Sequence, residues 1–543
     1  MSLTGAQALA RTLAAAGIRV CFTNPGTSEI HLLSALDRTP EIRAVLTLFE
    51  GVATGAADGY ARMASRPAAT VLHLGPGLGN GLANLHNARR AMVPLVNIVG
   101  DHATTHVRHD APLQSDIETA ARNVSAWIRT SRAAIELPGD GAEAVAAATV
   151  PPGAIATLIV PADVAWEVGA EPAALRPPAT APTAGEEPVR AAAAALRRAG
   201  ARAGILLGGD ALRERALLAA SRAATVTGAR LLCEMFPARA QRGAGLPAVE
   251  RLAYWPELAS RQLGELDEVV LAGARAPVTF FGYPDTPASL LPPGCVQHQL
   301  APPGTDALAS LEALADELDA GATGAVLQQS DLPEAPSGEL TAAAACRAIA
   351  RCLPEGAIVS DEAITSGLML PATTAGAPRH DWLTLTGGAI GQGLPVAVGA
   401  AIACPDRPVL ALEADGSAMY TFQALWTMVR EQLNVTIVLF SNRSYGILRV
   451  ELARLGVRQG PVSRAQLSLA EPEIDFVSLA AGLGVPARRV RTAETLTREL
   501  RRALSEEGPH LIEAVVPAPE HPPAAAPERP PAPAPERPPA PPG

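Results

Sequence analysis

The sequence contains no lysine: all 44 of its basic residues are arginine. That absence excludes any enzyme that needs a Schiff-base lysine, pyridoxal-phosphate enzymes of the usual kind included. It equally excludes a phosphate-binding loop built on its essential lysine. Long basic runs are missing too, and a net charge of −10 offers no general attraction for nucleic acid. The six cysteines (Cys21, Cys233, Cys295, Cys346, Cys352, Cys404) stand at irregular spacings without a CxxC. They suggest neither a zinc site nor a disulfide framework. No uncharged apolar run reaches the roughly 18 residues of a membrane span. The N-terminus lacks the charged start, apolar block and cleavage site of a signal peptide. A cytoplasmic enzyme is the expectation, with no nucleic-acid or membrane partner.

Aromatic residues are scarce at 3%, yet hydrophobic residues make up 48% of 543 positions. The core must therefore be assembled from small aliphatic side chains, and a globally disordered chain is excluded. At roughly 100–200 residues per domain, three globular units are expected.

The pattern along the chain divides accordingly. Residues 1–168 alternate β-type runs (Ala68–Leu74, Pro94–Val99) with small-residue helical stretches such as Gly51–Met63, which argues for a parallel sheet with crossover helices. A proline- and alanine-rich connector spans Ala170–Glu187. A second α/β unit over 188–327 has strands expected at Gly204–Leu207, Arg230–Leu232 and Glu268–Leu271. A third over 340–516 has its clearest strands at Ala357–Ser360, Val409–Leu412, Val435–Phe440 and Leu511–Val516. The fold class is thus α/β, three doubly wound parallel-sheet domains. From Pro517 the chain holds 13 prolines in 27 residues and repeats APERPPAP, so 517–543 is expected to be an extended, disordered tail.

The most informative stretch is Glu413-Ala-Asp415-Gly416-Ser417, between an apolar strand and a helical segment. A second strand then ends in Ser441-Asn442-Arg-Ser444-Tyr445-Gly. Asp415 and Asn442 lie 27 residues apart. One strand–helix–strand crossover would bring both to the C-terminal edge of a parallel sheet, where α/β folds place ligands. A carboxylate, an amide oxygen and a backbone carbonyl are the hard oxygen donors Mg²⁺ favours.

This ADG…SN pattern resembles the GDG…NN signature of thiamine-diphosphate (ThDP) enzymes. The resemblance runs across nearly the whole chain and is nearest to the acetolactate synthase and benzoylformate decarboxylase branch. It implies a pyrimidine-binding domain, a central domain and a diphosphate-binding domain. It also implies metal ligation by Asp415, Asn442 and the Ser444 carbonyl, with Gly416, Ser417 and Tyr445 beside the cofactor. Phe49-Glu50-Gly-Val-Ala-Thr-Gly-Ala-Ala-Asp58-Gly-Tyr-Ala-Arg62 is similar to the family's glutamate helix. Glu50 there takes the place of the residue that hydrogen-bonds the aminopyrimidine. A carboxyl group among small apolar neighbours can share a proton with a ring nitrogen. In Thr386-Gly-Gly388-Ala-Ile390-Gly-Gln-Gly-Leu-Pro395, Gly388 and Ile390 match the segment that bends the cofactor, and Thr365 falls where a phosphate contact is expected.

Toward the substrate, Asn24-Pro-Gly26-Thr27 and Leu72-His73-Leu-Gly-Pro-Gly77 resemble two benzoylformate decarboxylase segments. Thr27 would contact the substrate carboxylate and His73 would transfer protons, with Asn24, Gly26 and His102 lining the pocket. The chain departs from both templates. Pro277–Tyr283 has no second histidine, and Phe49-Glu50-Gly51 replaces the HEQ of acetolactate synthases. Ile447, bulkier than alanine at that place, favours a pyruvate-sized substrate.

The resemblance therefore implies decarboxylation of a small 2-oxo acid with carboligation, an acetolactate-synthase-like transferase. The alternatives are a non-ligating 2-oxo-acid decarboxylase, a lyase, and a non-catalytic ThDP-fold binding protein. Gly204-Ile-Leu-Leu-Gly-Gly-Asp210 lacks the full GxGxxG fingerprint, so FAD is not expected. A homodimer or homotetramer is implied, with Glu50 and Asp415 of each site contributed by different subunits.

Overall fold

The computed structural model describes residues 2–518, so the proline-rich tail lies almost wholly outside the described residues. Alternating apolar runs and small-residue helices produce three parallel-dominated sheets. The first has six strands in the order Arg43–Leu46, Val20–Asn24, Ala68–Leu72, Leu95–Asp101, Ile155–Pro161, Trp127–Thr130, every pairing parallel. The central sheet has five, with Ala203–Leu207 between Arg230–Cys233 and Glu268–Ala272. The third has seven and sets Ala357–Glu362, Val409–Ala414 and Val435–Ser441 side by side.

One strand of the third sheet is unexpected. Ala240–Arg242, from within the central unit's stretch of sequence, pairs antiparallel with His380–Thr384 at the sheet edge. Three residues of mixed polarity carry no strand periodicity, so tertiary pairing alone decides their conformation. The central unit is thereby stitched into the third.

Small side chains explain how the outer units meet. Helices Glu50–Ala64 and Gly393–Ala403 cross where glycine replaces bulk. A Cβ on Gly59 would lie 2.2 Å from the Val396 carbonyl, and one on Gly399 would lie 1.9 Å from the Ala56 carbonyl. Beside that crossing a buried ion pair is bidentate: Arg62 Nε and Nη2 donate to Asp58 at 2.7 and 2.6 Å. Burial raises the Asp58 carboxyl, and the Arg62 charge opposes that shift. Arg62 Nη1 also donates to the Thr384 and Ala238 carbonyls, so one guanidinium touches all three units.

Candidate active site

The Asp415 motif lies where the crossover argument placed it. Asp415 opens a short helix directly after Val409–Ala414, and Asn442 follows Val435–Ser441 on the adjacent strand. Asp415 Oδ1 accepts the Gly416 N–H at 2.8 Å and Oδ2 the Arg443 N–H at 2.5 Å. Asn442 Oδ1 accepts the Ser444 N–H at 2.9 Å. These bonds fix both side chains at one sheet edge. Burial pushes the Asp415 carboxyl up to about 6 despite its backbone bonds, a cost that an adjacent cation would relieve.

The donor set suits a small hard cation: one carboxylate, one amide oxygen and the Ser444 carbonyl are all oxygen ligands. Among the described residues there is no cluster of three or more His, Cys, Asp or Glu. Gly416 lacks a side chain because Tyr445 occupies that space; a Cβ there would lie 2.7 Å from the ring. Ser417 is buried in the same turn.

Three of the nine non-glycine residues with positive φ among the described residues adjoin the candidate site. Arg443, between Asn442 and Ser444, has φ +55°; Ile364, before Thr365, has φ +48°; Leu74, after His73, has φ +49°. A β-branched residue in the left-handed region is unusual and concentrates at functional turns. In the Ile364–Gly367 turn it is the Ser366 hydroxyl, not Thr365, that meets Asn442, accepting from Nδ2 at 3.4 Å. Thr365 remains half-buried beside it.

Glu50 is the first residue of its helix and is buried, its Oε2 accepting from Asn80 Nδ2 at 2.9 Å. Ile390 is half-buried between Gly388 and Gly391, which have φ +76° and +94°. Phe280 of the central unit abuts Gly388, 2.6 Å from where a Cβ would stand. Ile447 is half-buried on helix Gly446–Arg454.

On the six-stranded sheet, His73 stands at the start of helix Leu74–Ala91 immediately after strand Ala68–Leu72. A Cβ on Gly26 would lie 2.2 Å from His73 Nδ1, so the missing side chain seats the imidazole against the Asn24–Thr27 turn. Thr27 is exposed next to it. Asn24 is more tied to the sheet than free in a pocket, donating from Nδ2 to the Thr47 carbonyl at 2.9 Å. His102 is half-buried, its Nε2 buried without a partner, and its ring lies tilted 5.4 Å from exposed His106, which is 5.6 Å from His109.

Sequence reasoning missed three acids. Glu29 is fully buried; its Oε2 accepts the Gly26 N–H and faces His73 Nδ1, both at 2.8 Å. Only its place three residues after Gly26 could have marked it. Glu362, the last residue of its strand, pairs in register with Glu413, the last but one of the adjacent strand. Glu362 accepts the Gly391 and Gly393 N–H groups at 2.6 and 2.5 Å. Both Glu413 oxygens are buried without a partner, and burial with the neighbouring Glu362 holds that carboxyl well above the usual range. Two acids closing neighbouring apolar strands were the available signal.

A parallel three-unit α/β chain with an oxygen-donor turn on one sheet and a buried helix-initial glutamate on another defines a ThDP-binding enzyme. The comparisons agree. Residues 3–121 match the N-terminal TPP binding domain of thiamine pyrophosphate enzymes, and residues 369–514 match their C-terminal TPP binding domain. The chain belongs to the thiamine pyrophosphate enzyme family.

It is 56% identical over 519 residues to a Mycobacterium tuberculosis protein named "Putative acetolactate synthase large subunit IlvX", covering 95% of this chain and 99% of that one. It is 29% identical to benzoylformate decarboxylase of Pseudomonas aeruginosa, over 92% and 96% of the two chains. The Rhodococcus jostii RHA1 4-hydroxybenzoylformate decarboxylase structure superposes with a TM-score of 0.84 at 26% identity, covering 95% of this chain and all of the other. Among the described residues, no helix is long and apolar enough to cross a membrane.

Proposed function

We propose that the protein decarboxylates a small 2-oxo acid and transfers the remaining fragment to a second carbonyl compound, with ThDP and Mg²⁺ as cofactors. The observation that carries this reading is the pairing of Glu50, buried at a helix start, with the Asp415–Asn442–Ser444 oxygen set. Bound ThDP supplies the carbon nucleophile and the electron sink for loss of CO₂. Asp415, Asn442 and the Ser444 carbonyl would hold Mg²⁺ against the diphosphate, with Gly416, Ser417, Tyr445 and Thr365 alongside. Glu50 would exchange a proton with the aminopyrimidine, and Gly388 and Ile390 would shape its seat. His73 would move protons at the substrate carbonyl, and Thr27 would hold the carboxylate.

Two features support a small substrate and a ligating outcome. Phe280 crowds Gly388 of the cofactor-bending segment, Ile447 is bulkier than the alanine of benzoylformate decarboxylase, and Gly282 stands in a stretch without a histidine to protonate the product. The similarity to the M. tuberculosis protein points the same way. A non-ligating decarboxylase is the second reading, favoured by His73 and by the structural likeness to 4-hydroxybenzoylformate decarboxylase.

A homodimer or homotetramer is part of the proposal. Exposed apolar side chains flank both halves of the site: Ile30 and Leu48 near Glu29 and Glu50, Met419 and Tyr420 just after the Asp415 turn. A partner subunit covering them would bury surface that water otherwise disfavours.

The test is proton NMR of the purified protein with pyruvate, ThDP and Mg²⁺, against a cofactor-free control and Glu50→Gln. Two pyruvates giving one acetolactate and one CO₂ is the expected result. Acetaldehyde and CO₂ alone would assign simple decarboxylation. Unchanged pyruvate overturns the small-substrate reading, and turnover of benzoylformate in the same assay would then assign an aryl substrate.

A further inference from the structure

Helix Gly446–Arg454 begins two residues after Ser444, whose carbonyl accepts the Gly446 N–H at 2.8 Å. It carries Ile447, yet only Gly446 and Val450 of its nine residues are buried. A short helix with so little buried surface needs other contacts to fix its place. Ile447, Val450, Glu451 and Arg454 are spaced three, one and three residues apart, which puts them on one face. Leu448 and Ala453, off that face, are exposed.

The central unit grips the helix through that face. Trp255, buried, donates from Nε1 to Glu451 Oε1 at 2.8 Å. Glu451 Oε2 accepts from Arg454 Nη2 at 3.0 Å and Nε at 3.1 Å, and the Tyr283 hydroxyl reaches it at 3.5 Å. The Arg454 guanidinium lies 4.1 Å over the Tyr283 ring, and its Nη1 donates to Glu257. The Glu451 and Arg454 side chains are 15% and 13% exposed, so water screens their bonds little. Every link to the central unit runs through Glu451 or through the arginine it orients. The same aromatic cluster reaches the cofactor-bending segment: Tyr254 lies 5.7 Å from Trp255 and 5.5 Å from Phe280, and Phe280 abuts Gly388.

We propose that Glu451 is a positioning residue that clamps helix Gly446–Arg454 to the central unit, and that this clamp sets the place of Ile447 and with it the size of 2-oxo acid the site takes. The inference rests on the pocket role proposed above for Ile447. Helix, clamp and Gly388 segment all belong to one chain, so this geometry is set within a single subunit. Loss of the carboxylate charge removes the acceptor that orients Arg454 and frees the helix from the central unit. A displaced Ile447 makes room for a larger acid at the expense of a small one. The consequence falls on substrate preference and KM more than on kcat.

The test compares Glu451→Gln with Glu268→Gln in the full chain. The first keeps an oxygen for Trp255 but turns an amide toward Arg454. Glu268 is a buried carboxylate of the central unit, bonded to Arg198 Nε at 3.0 Å and His298 Nε2 at 2.6 Å at the N-terminal end of strand Glu268–Ala272, so it reports the structural cost alone. Melting temperature, hydrogen exchange over residues 446–455, and kcat and KM for pyruvate and benzoylformate are measured for both. Calorimetry adds the affinities of their unreactive mimics, methyl acetylphosphonate and methyl benzoylphosphonate, with ThDP and Mg²⁺ present. Glu451→Gln is expected to speed exchange at least fivefold and to lower the pyruvate-to-benzoylformate ratio of kcat/KM at least tenfold, with kcat for pyruvate within threefold of the parent. Glu451→Asp, which restores the charge at shorter reach, should recover part of that ratio. Glu268→Gln should lose stability with the ratio within twofold of the parent. The clamp is overturned if Glu451→Gln keeps the ratio within twofold, shifts it no more than Glu268→Gln, or leaves exchange over the helix unchanged. Should the parent bind the mimics but turn over neither acid, the reaction proposal fails alone and the ratio of mimic affinities decides the clamp. A parent that binds neither mimic overturns both.

Discussion

The C-terminal edge of the seven-stranded sheet ends in a turn of oxygen donors, Asp415, Asn442 and the Ser444 carbonyl, each held in place by backbone bonds. The corresponding edge of the central five-stranded sheet ends in backbone packed against backbone. There a Cβ on Gly208 would lie 2.8 Å from the Gly273 carbonyl, and one on Gly273 would lie 2.3 Å from the Gly208 carbonyl. Both edges sit at the place where parallel α/β sheets bind ligands. One gathers a carboxylate, an amide oxygen and a carbonyl oxygen, whereas the other brings two glycine backbones into contact. Similar architecture therefore carries different content, and the chemistry resides in the side chains at the edge more than in the sheet.

The largest effects should come from breaking the chemically equipped edges. Glu50→Gln and Asp415→Ala are each expected to reduce turnover at least a thousandfold, the first with ThDP affinity largely kept and the second with it lost. Steady-state kinetics and calorimetry separate the two; residual activity above a few per cent in both variants would remove these residues from the mechanism. Next in size is Glu29→Gln. Its carboxylate faces His73 Nδ1 and so selects the tautomer with the Nδ1 proton, leaving Nε2 as the other ring nitrogen available to substrate. An amide in its place admits the wrong tautomer, and kcat should fall about 10–100-fold, the usual cost of losing a group that orients a functional histidine. Glu29→Asp should recover part of that loss, and equal losses in both variants would point to folding instead.

Much of this was legible in the sequence because it rests on local chemistry. The apolar strands, the Gly51–Met63 helical stretch and the Asp415–Asn442 spacing follow from periodicity and from a single crossover, and the place of Glu50 follows from the family resemblance. What could not be read depends on contacts made at long range. Glu29 matters only because His73, 44 residues later, returns to it. Arg62 matters because Thr384, 322 residues away in sequence, returns to it. The bond from Asn442 to Ser366 was equally hidden, because neighbouring hydroxyls look alike until the turn at Ile364 brings one of them to Asn442. Strand Ala240–Arg242 was invisible for the same reason: its partner strand supplies its conformation.

The central edge should respond differently. Gly208→Val would force apart two backbones already in contact, at a cost of about 1–3 kcal/mol, while leaving the kcat of folded enzyme within twofold. Thermal unfolding together with activity per folded molecule checks this. A loss of kcat larger than the loss of folded protein would show that the central crevice serves catalysis after all, and the contrast between the edges would fail.

The smallest expected effect lies at Glu234, on the same edge, where Oε1 accepts the Gly209 N–H at 3.4 Å. Burial pushes this carboxyl up to about 7 from an ordinary 4.5, against the lowering effect of the Gly209 bond and of Arg275 and Arg90. Between those two values the native chain keeps a proton that the unfolded chain has released. Stability is therefore lost as pH rises through that window and stays reduced above it. Glu234→Gln cannot ionise and escapes that loss. Its melting temperature should match the parent's near pH 4.5 and exceed it increasingly up to about pH 8, while kcat is unchanged. A parallel offset at every pH would mean that the Glu234 carboxyl does not titrate in this window, and that the central edge contributes packing without a buried charge.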